Sequence, residues 1–130
     1  MIKPEQRILL VSTQADTLAD ALTPFLDAGF SINHVPDLDA ALAALDPGQP
    51  PALVLLDASN DKDGAALRED CMRVLAHCAL TWVAAISPLR SEDFHAAMEG
   101  LGMLPPLPPC PTRSDGESLL EALRGFLPRC

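Results

Sequence analysis

An α/β fold with a doubly wound parallel sheet and helices on both faces is what this sequence predicts, and three observations predict it. Short, almost continuously apolar runs recur at Arg7–Val11, Leu53–Leu56 and Thr81–Ser87, as in strands buried on both faces. Stretches with apolar residues at helical spacing lie between them. Strand and helix alternate five times, which places helices over a parallel sheet. The 130 residues, 48% of them apolar, suit one domain with one core over roughly residues 7–127.

The first strand, Arg7–Val11, is followed by a helix over Asp16–Ala28 with Leu18, Leu22, Phe25 and Leu26 as its stripe. Gly29 stops that helix, and Pro24 inside it predicts a kink or a broken last turn. Phe30–Val35 is the second strand, and Asp37 or Asp39 caps a helix carrying Leu38, Ala41, Leu42 and Leu45. The breaker-rich Asp46–Pro51 leads into the third strand, Leu53–Leu56. A polar loop, Ala58–Gly64, precedes a helix over Ala65–Ala79 with Leu67, Cys71, Val74, Leu75 and Cys78 facing in. The fourth strand, Thr81–Ser87, is followed by a short helix, Ser91–Gly100, with Ser91 as cap. Met103–Pro111 holds five prolines, so a fifth strand there must be short or at an edge. The last helix, Ser114–Leu127, turns Leu119, Leu120, Leu123, Phe126 and Leu127 inward.

Net charge is -9, from 18 acids against 9 bases, and the bases form no cluster. Such a surface repels phosphate backbones and anionic lipid, which argues against direct nucleic-acid or membrane binding. Neither a membrane span nor a secretory signal is visible, and a cytoplasmic location is expected. Cys71, Cys78, Cys110 and Cys130 have no C-x-x-C spacing. Cys71 and Cys78 lie two helical turns apart, too far for a disulfide, and read as reduced core residues. His34, His77 and His95 fall in separate elements and read as ordinary histidines. The loop residues Asp57, Asn60, Asp61 and Asp63 fail the calcium-loop spacing, so no metal is assigned there. No nucleophile triad or phosphate-binding glycine loop appears, and no enzymatic activity is expected.

Ligand sites in doubly wound sheets lie at strand carboxyl ends. Ser12, Thr13, Asp57 and Ser87 all fall there. In order and spacing, "RILLVSTQADTLADAL", "AGFSINHVPDLDAALAAL", "PALVLLDASNDKDG" and "WVAAIS" resemble the response-regulator receiver domains of two-component signalling, the CheY-like family. That resemblance covers roughly residues 7–127 and implies a five-stranded sheet of order 2-1-3-4-5.

It also implies site roles. Asp57 matches the acid that accepts a phosphoryl group from a histidine kinase, and Ser87 matches the switch hydroxyl. The acid pair that holds Mg²⁺ in the family aligns with Ser12 and Thr13, and the family's lysine aligns with Pro108. Phosphoryl transfer to a carboxylate brings negative charge onto negative charge, so it leans on a cation. Losing the metal ligands removes several kcal/mol of transition-state stabilisation, orders of magnitude in rate. The expected molecule is therefore a degenerate receiver, or pseudo-receiver: a regulatory module without a bound cofactor that acts through a protein partner or an output domain. It reads as a module of a larger signalling protein, with a homodimer through the face of the fourth helix, fifth strand and fifth helix. The first alternative is an atypical phosphoacceptor at Asp57; a weaker one is a small-molecule sensor in the same crevice.

Overall fold

The computed structural model describes residues 6–126. Four parallel strands form the sheet: β1 (Arg7–Val11), β2 (Ser31–Val35), β3 (Leu53–Asp57) and β4 (Trp82–Ile86), in the order β2-β1-β3-β4. Five α-helices cover it: α1 (Ala19–Asp27), α2 (Leu38–Ala44), α3 (Ala65–His77), α4 (Ser91–Ala97) and α5 (Arg113–Phe126). A 3-10 turn, Ala15–Leu18, leads into α1.

Because strand side chains alternate, β1, β3 and β4 feed two cores. Ile8, Leu10, Leu53, Leu55, Ala84 and Ile86 pack under α1 and α5, against Phe25, Leu119 and Leu123. Leu9, Val11, Val54, Leu56, Val83 and Ala85 pack under α2, α3 and α4, against Ala41, Cys71, Val74, Phe94 and Met98. Cys71 and Cys78 are buried free thiols, as their spacing predicts, and Cys110 is exposed. Leu127 and Cys130 lie outside the described residues, as does Lys3.

The expected fifth strand is corrected. Met103–Pro111 runs beside β4 but makes a single parallel bridge, Ile86 with Leu107. Leu107 N–H donates to Ala85 O, and its carbonyl accepts from Ser87 N–H, both at 2.8 Å. A parallel strand continues this pattern at every second residue. Those residues are Pro105 and Pro109, which carry no N–H. The segment keeps the position of a strand with one bridge, and beyond it only Leu104 N–H bonds β4, donating to Val83 O at 3.1 Å.

Several local expectations hold. Gly29 (φ +94°) ends α1 in a Schellman turn, with Phe30 N–H donating to Phe25 O and Gly29 N–H to Leu26 O. The two rings meet edge to face at 5.7 Å, the apolar contact that accompanies such a turn. Asp37 caps α2, its Oδ1 accepting from Ala40 N–H at 2.8 Å. Other expectations need correction. Pro24 sits inside α1 and does not break its last turn, which runs on to Asp27. Ser91 is not the cap of α4: Arg90 holds that position in extended backbone, and no side chain caps it. The helix ends at Ala97, not Gly100, because Met98 already leaves helical geometry.

Candidate functional site

The parallel register pairs Val11 with Leu56, so Ser12 and Asp57 leave β1 and β3 side by side. Ser12 is held by its own N–H, which donates to Val35 O at 3.0 Å and ties the β1 exit to β2. Its carbonyl accepts from the His34 Nε2–H of β2. The side chain is buried, and its hydroxyl donates to Asp57 Oδ2 at 2.7 Å. Ser12 Oγ in turn accepts from Gln14 N–H at 2.9 Å, the local turn that serine favours at a strand exit.

The other oxygen of Asp57 is occupied as well. Oδ1 accepts from the Ser59 hydroxyl at 2.5 Å and from Ser59 N–H at 3.1 Å. Asp57 therefore receives two hydroxyl donors and one backbone donor. Ser59 was not singled out from the sequence. Its signal was available, since an acid in a turn commonly accepts from the residue two positions on. Loop order continues at Asp61, which accepts from Gly64 N–H at 3.1 Å and Leu67 N–H at 2.8 Å and so closes the start of α3. Gly64 turns there at φ +81°.

A crevice of about 450 Å³ opens over these strand ends. Its walls come from Ser12 to Gln14, Pro36 to Leu38, Leu56 to Asp61 and the first turns of α3. Asp37, Asp57, Asp61 and Asp70 bring carboxylates to it, and among the described residues no lysine, arginine or histidine lines it. Burial pushes the Asp70 carboxyl above its ordinary value; Arg73 opposes this, while Glu69 and Asp61 add to it. Among the described residues, no group of three or more His, Cys, Asp or Glu side chains comes together as a metal-ligand set. At the strand ends Ser12 and Thr13 bring no charge, and each oxygen of Asp57 accepts a hydrogen bond from a hydroxyl.

The structure brings Ser12, Thr13 and Asp57 to one crevice, with Thr13 exposed at its rim. Ser87 and Pro108 do not line it. Ser87 is buried beyond β4, where its Oγ accepts from Leu89 N–H at 3.2 Å. Pro108 is exposed, one residue past the Leu107 bridge. Lys62 is exposed in the loop before α3.

No family model and no curated protein matches this chain. Solved structures do match. A response regulator from Desulfuromonas acetoxidans is 20% identical with a TM-score of 0.70, covering 94% of this chain and 98% of its own. A CheY-like protein from Pseudomonas aeruginosa PAO1 is 16% identical with a TM-score of 0.69, covering 97% and 98%. A LuxR family DNA-binding response regulator from Silicibacter pomeroyi is 22% identical with a TM-score of 0.65, covering 95% and 98%. At these identities the likeness establishes the fold: this chain has the architecture of CheY-like receiver domains. Among the described residues, no helix is long and apolar enough to cross a membrane.

Proposed function

We propose that this chain is a receiver-fold regulatory domain that acts by protein contact, without Mg²⁺-dependent phosphorylation of Asp57. One observation carries the reading: the Ser12 hydroxyl donates to Asp57 where a receiver would place a metal-binding acid. A carboxylate bonded by two hydroxyls and an N–H is stabilised as it stands. Phosphorylation would have to break those bonds and place more negative charge beside Asp37, Asp61 and Asp70, with no cation among the described residues of the wall to offset it. A pseudo-receiver role follows, non-enzymatic and cytoplasmic, exerted on a protein partner or an attached output domain.

The competing reading, a phosphoacceptor at Asp57 supplied by a histidine kinase, draws on Asp57 standing at the end of β3 and Ser87 at the end of β4. Beryllofluoride separates the two, because it mimics an acyl phosphate on an aspartate. With millimolar Mg²⁺, the expected outcome is no change in the amide NMR signals of Asp57, Ser59 and Ser87. Saturable shifts centred on Asp57 and lost in Asp57→Asn overturn the proposal in favour of the phosphoacceptor.

A further inference from the structure

β2 is an outer strand of the sheet, and among the described residues no strand pairs with its free side. Val35 O accepts from Ser12 N–H, so Ser31, Asn33 and Val35 direct their N–H and C=O toward β1. Ile32 and His34, between them, point theirs away from the sheet. Such an edge is a template for another strand unless lysine, proline, a bulge or a covering element guards it. Ser31–Val35 reads SINHV, with no lysine, proline or carboxylate, and its register against β1 runs without a bulge. Pro36 comes only after the strand has ended, and Asn33 and His34 are exposed.

Charge and register select the occupant. The chain carries a net charge of -9, yet no acid occurs from Ala28 to Pro36. The flanking acids are engaged: Asp27 with Arg113 at 2.9 Å, and Asp39 with Arg73 at 3.6 Å. Asp37 accepts from Ala40 N–H as the cap of α2. This edge therefore offers little to a basic segment and fits a neutral strand, which a second β2 is. Antiparallel pairing about a two-fold axis at Asn33 sets Ile32 opposite His34 of the other copy, and His34 opposite Ile32. Both are outward-facing positions, so each pair exchanges two N–H···O bonds, and Asn33 meets its own counterpart at the close position between them. No outward N–H or C=O of Ile32 or His34 is left over in this register.

We infer that two copies of this chain associate edge to edge through β2, antiparallel about an axis at Asn33, so that one sheet runs through both. The inference goes beyond the role proposed above and does not depend on the chemistry of Asp57.

The test is sedimentation equilibrium of the full chain, with amide hydrogen exchange followed by NMR on the same samples. An interface this small is expected to dissociate at about 0.1–1 mM. It is expected to tighten as NaCl screens the net charge of each copy. Exchange at the Ile32 and His34 N–H groups is expected to slow about 5-fold or more from dilute to concentrated samples, while the amides of α4 keep their rates. Asn33→Lys takes the net charge from -9 to -8, which by itself favours association. At the β2 axis it sets like charges opposite each other, and it is expected to weaken the dimer about 10-fold. Ser118→Lys makes the same charge change on α5 beside the proline-rich segment and is expected not to weaken it. The proposal is overturned if the chain stays monomeric at about 1 mM in high salt, or if a dimer forms while Ile32 and His34 exchange at their dilute rates. It is also overturned if Asn33→Lys associates as tightly as the parent, or if Ser118→Lys weakens the dimer instead. Should Asn33→Lys fail to fold, exchange in the parent chain decides alone. Beryllofluoride shifts at Asp57 would reject the unphosphorylated reading and leave this inference standing; exchange at β2 that ignores concentration rejects this inference alone.

Discussion

The Ser12 hydroxyl and the Asp57 carboxylate, 45 positions apart in sequence, meet at 2.7 Å across the carboxyl ends of β1 and β3. The contact joins adjacent strands at the point where chain order reverses in the sheet, the place at which open α/β folds build their sites. Here the place is filled by an internal bond. Removing the hydroxyl in Ser12→Ala deprives a carboxylate of a donor and Gln14 N–H of its acceptor. A loss of about 1.5–3 kcal/mol in unfolding free energy is expected by urea titration, the range for hydrogen bonds to charged groups.

Restoring the acid pair tests the same relationship from the other side. Ser12→Asp with Thr13→Asp would crowd three carboxylates at the strand ends. In chelator this variant is expected to unfold at lower urea than the parent by about 1–3 kcal/mol. Millimolar Mg²⁺ is expected to recover much of that loss and to leave the parent midpoint unchanged. A parent stabilised by Mg²⁺ to the same extent would contradict the assignment of Ser12 and Thr13 as non-ligands.

Gly116 sits in α5 where a Cβ would come within 2.0 Å of the Ala21 carbonyl oxygen of α1. Backbone cannot yield as a flexible side-chain end can, so Gly116→Ala must push α5 away from α1. A cost of about 2–4 kcal/mol is expected, in the range of severe overpacking. Gly125, in the same helix, has open space around its Cβ position. Gly125→Ala is expected to be neutral or to stabilise by up to about 1 kcal/mol through helix propensity. Chemical denaturation of the pair separates close packing from propensity.

Arg68 links α3 to the carbonyls that end α4. Arg68→Met keeps much of the aliphatic stem and removes those two bonds. Faster amide exchange over residues 97–101 is expected, with about 1–2 kcal/mol lost globally. Unchanged exchange there would show that packing alone holds the end of α4.

Burial pushes the Cys71 thiol from its ordinary 9.0 up to about 12, with Asp70 adding to the effect and Arg68 opposing it. The thiolate is the disfavoured form in the folded state and forms freely in the unfolded chain. The stability contribution is thus fully present below pH 9 and is lost as pH rises toward 12. Cys71→Ser, whose hydroxyl does not ionise in this range, is expected to flatten that alkaline decline. Native alkylation at pH 8 followed by peptide mapping is expected to mark exposed Cys110 and to spare Cys71 and Cys78.

Sequence by itself determined the layered α/β architecture, because alternation of apolar runs with helical stripes leaves few ways to bury both. It also placed Asp57 at a strand end and the stop at Gly29 and narrowed the cap of α2 to Asp37 or Asp39, since each depends on neighbours within a few residues; the structure chose Asp37. Proline positions hinted at a poor fifth strand, yet only the register against β4 reduced it to one bridge: Pro105 and Pro109 fall on the rungs that need an N–H. Which polar groups meet Asp57 was likewise decided in three dimensions. Parallel register brings Ser12 to one oxygen, and the fold of the loop turns Ser59 to the other. The same holds for Met98 and Met103, which share a cavity because the strandless segment runs back past α4 over Cys71. Local hydrogen bonding and hydrophobic period act over a few residues and are readable along the chain; contacts between distant segments depend on register and packing, which exist only once the sheet has formed.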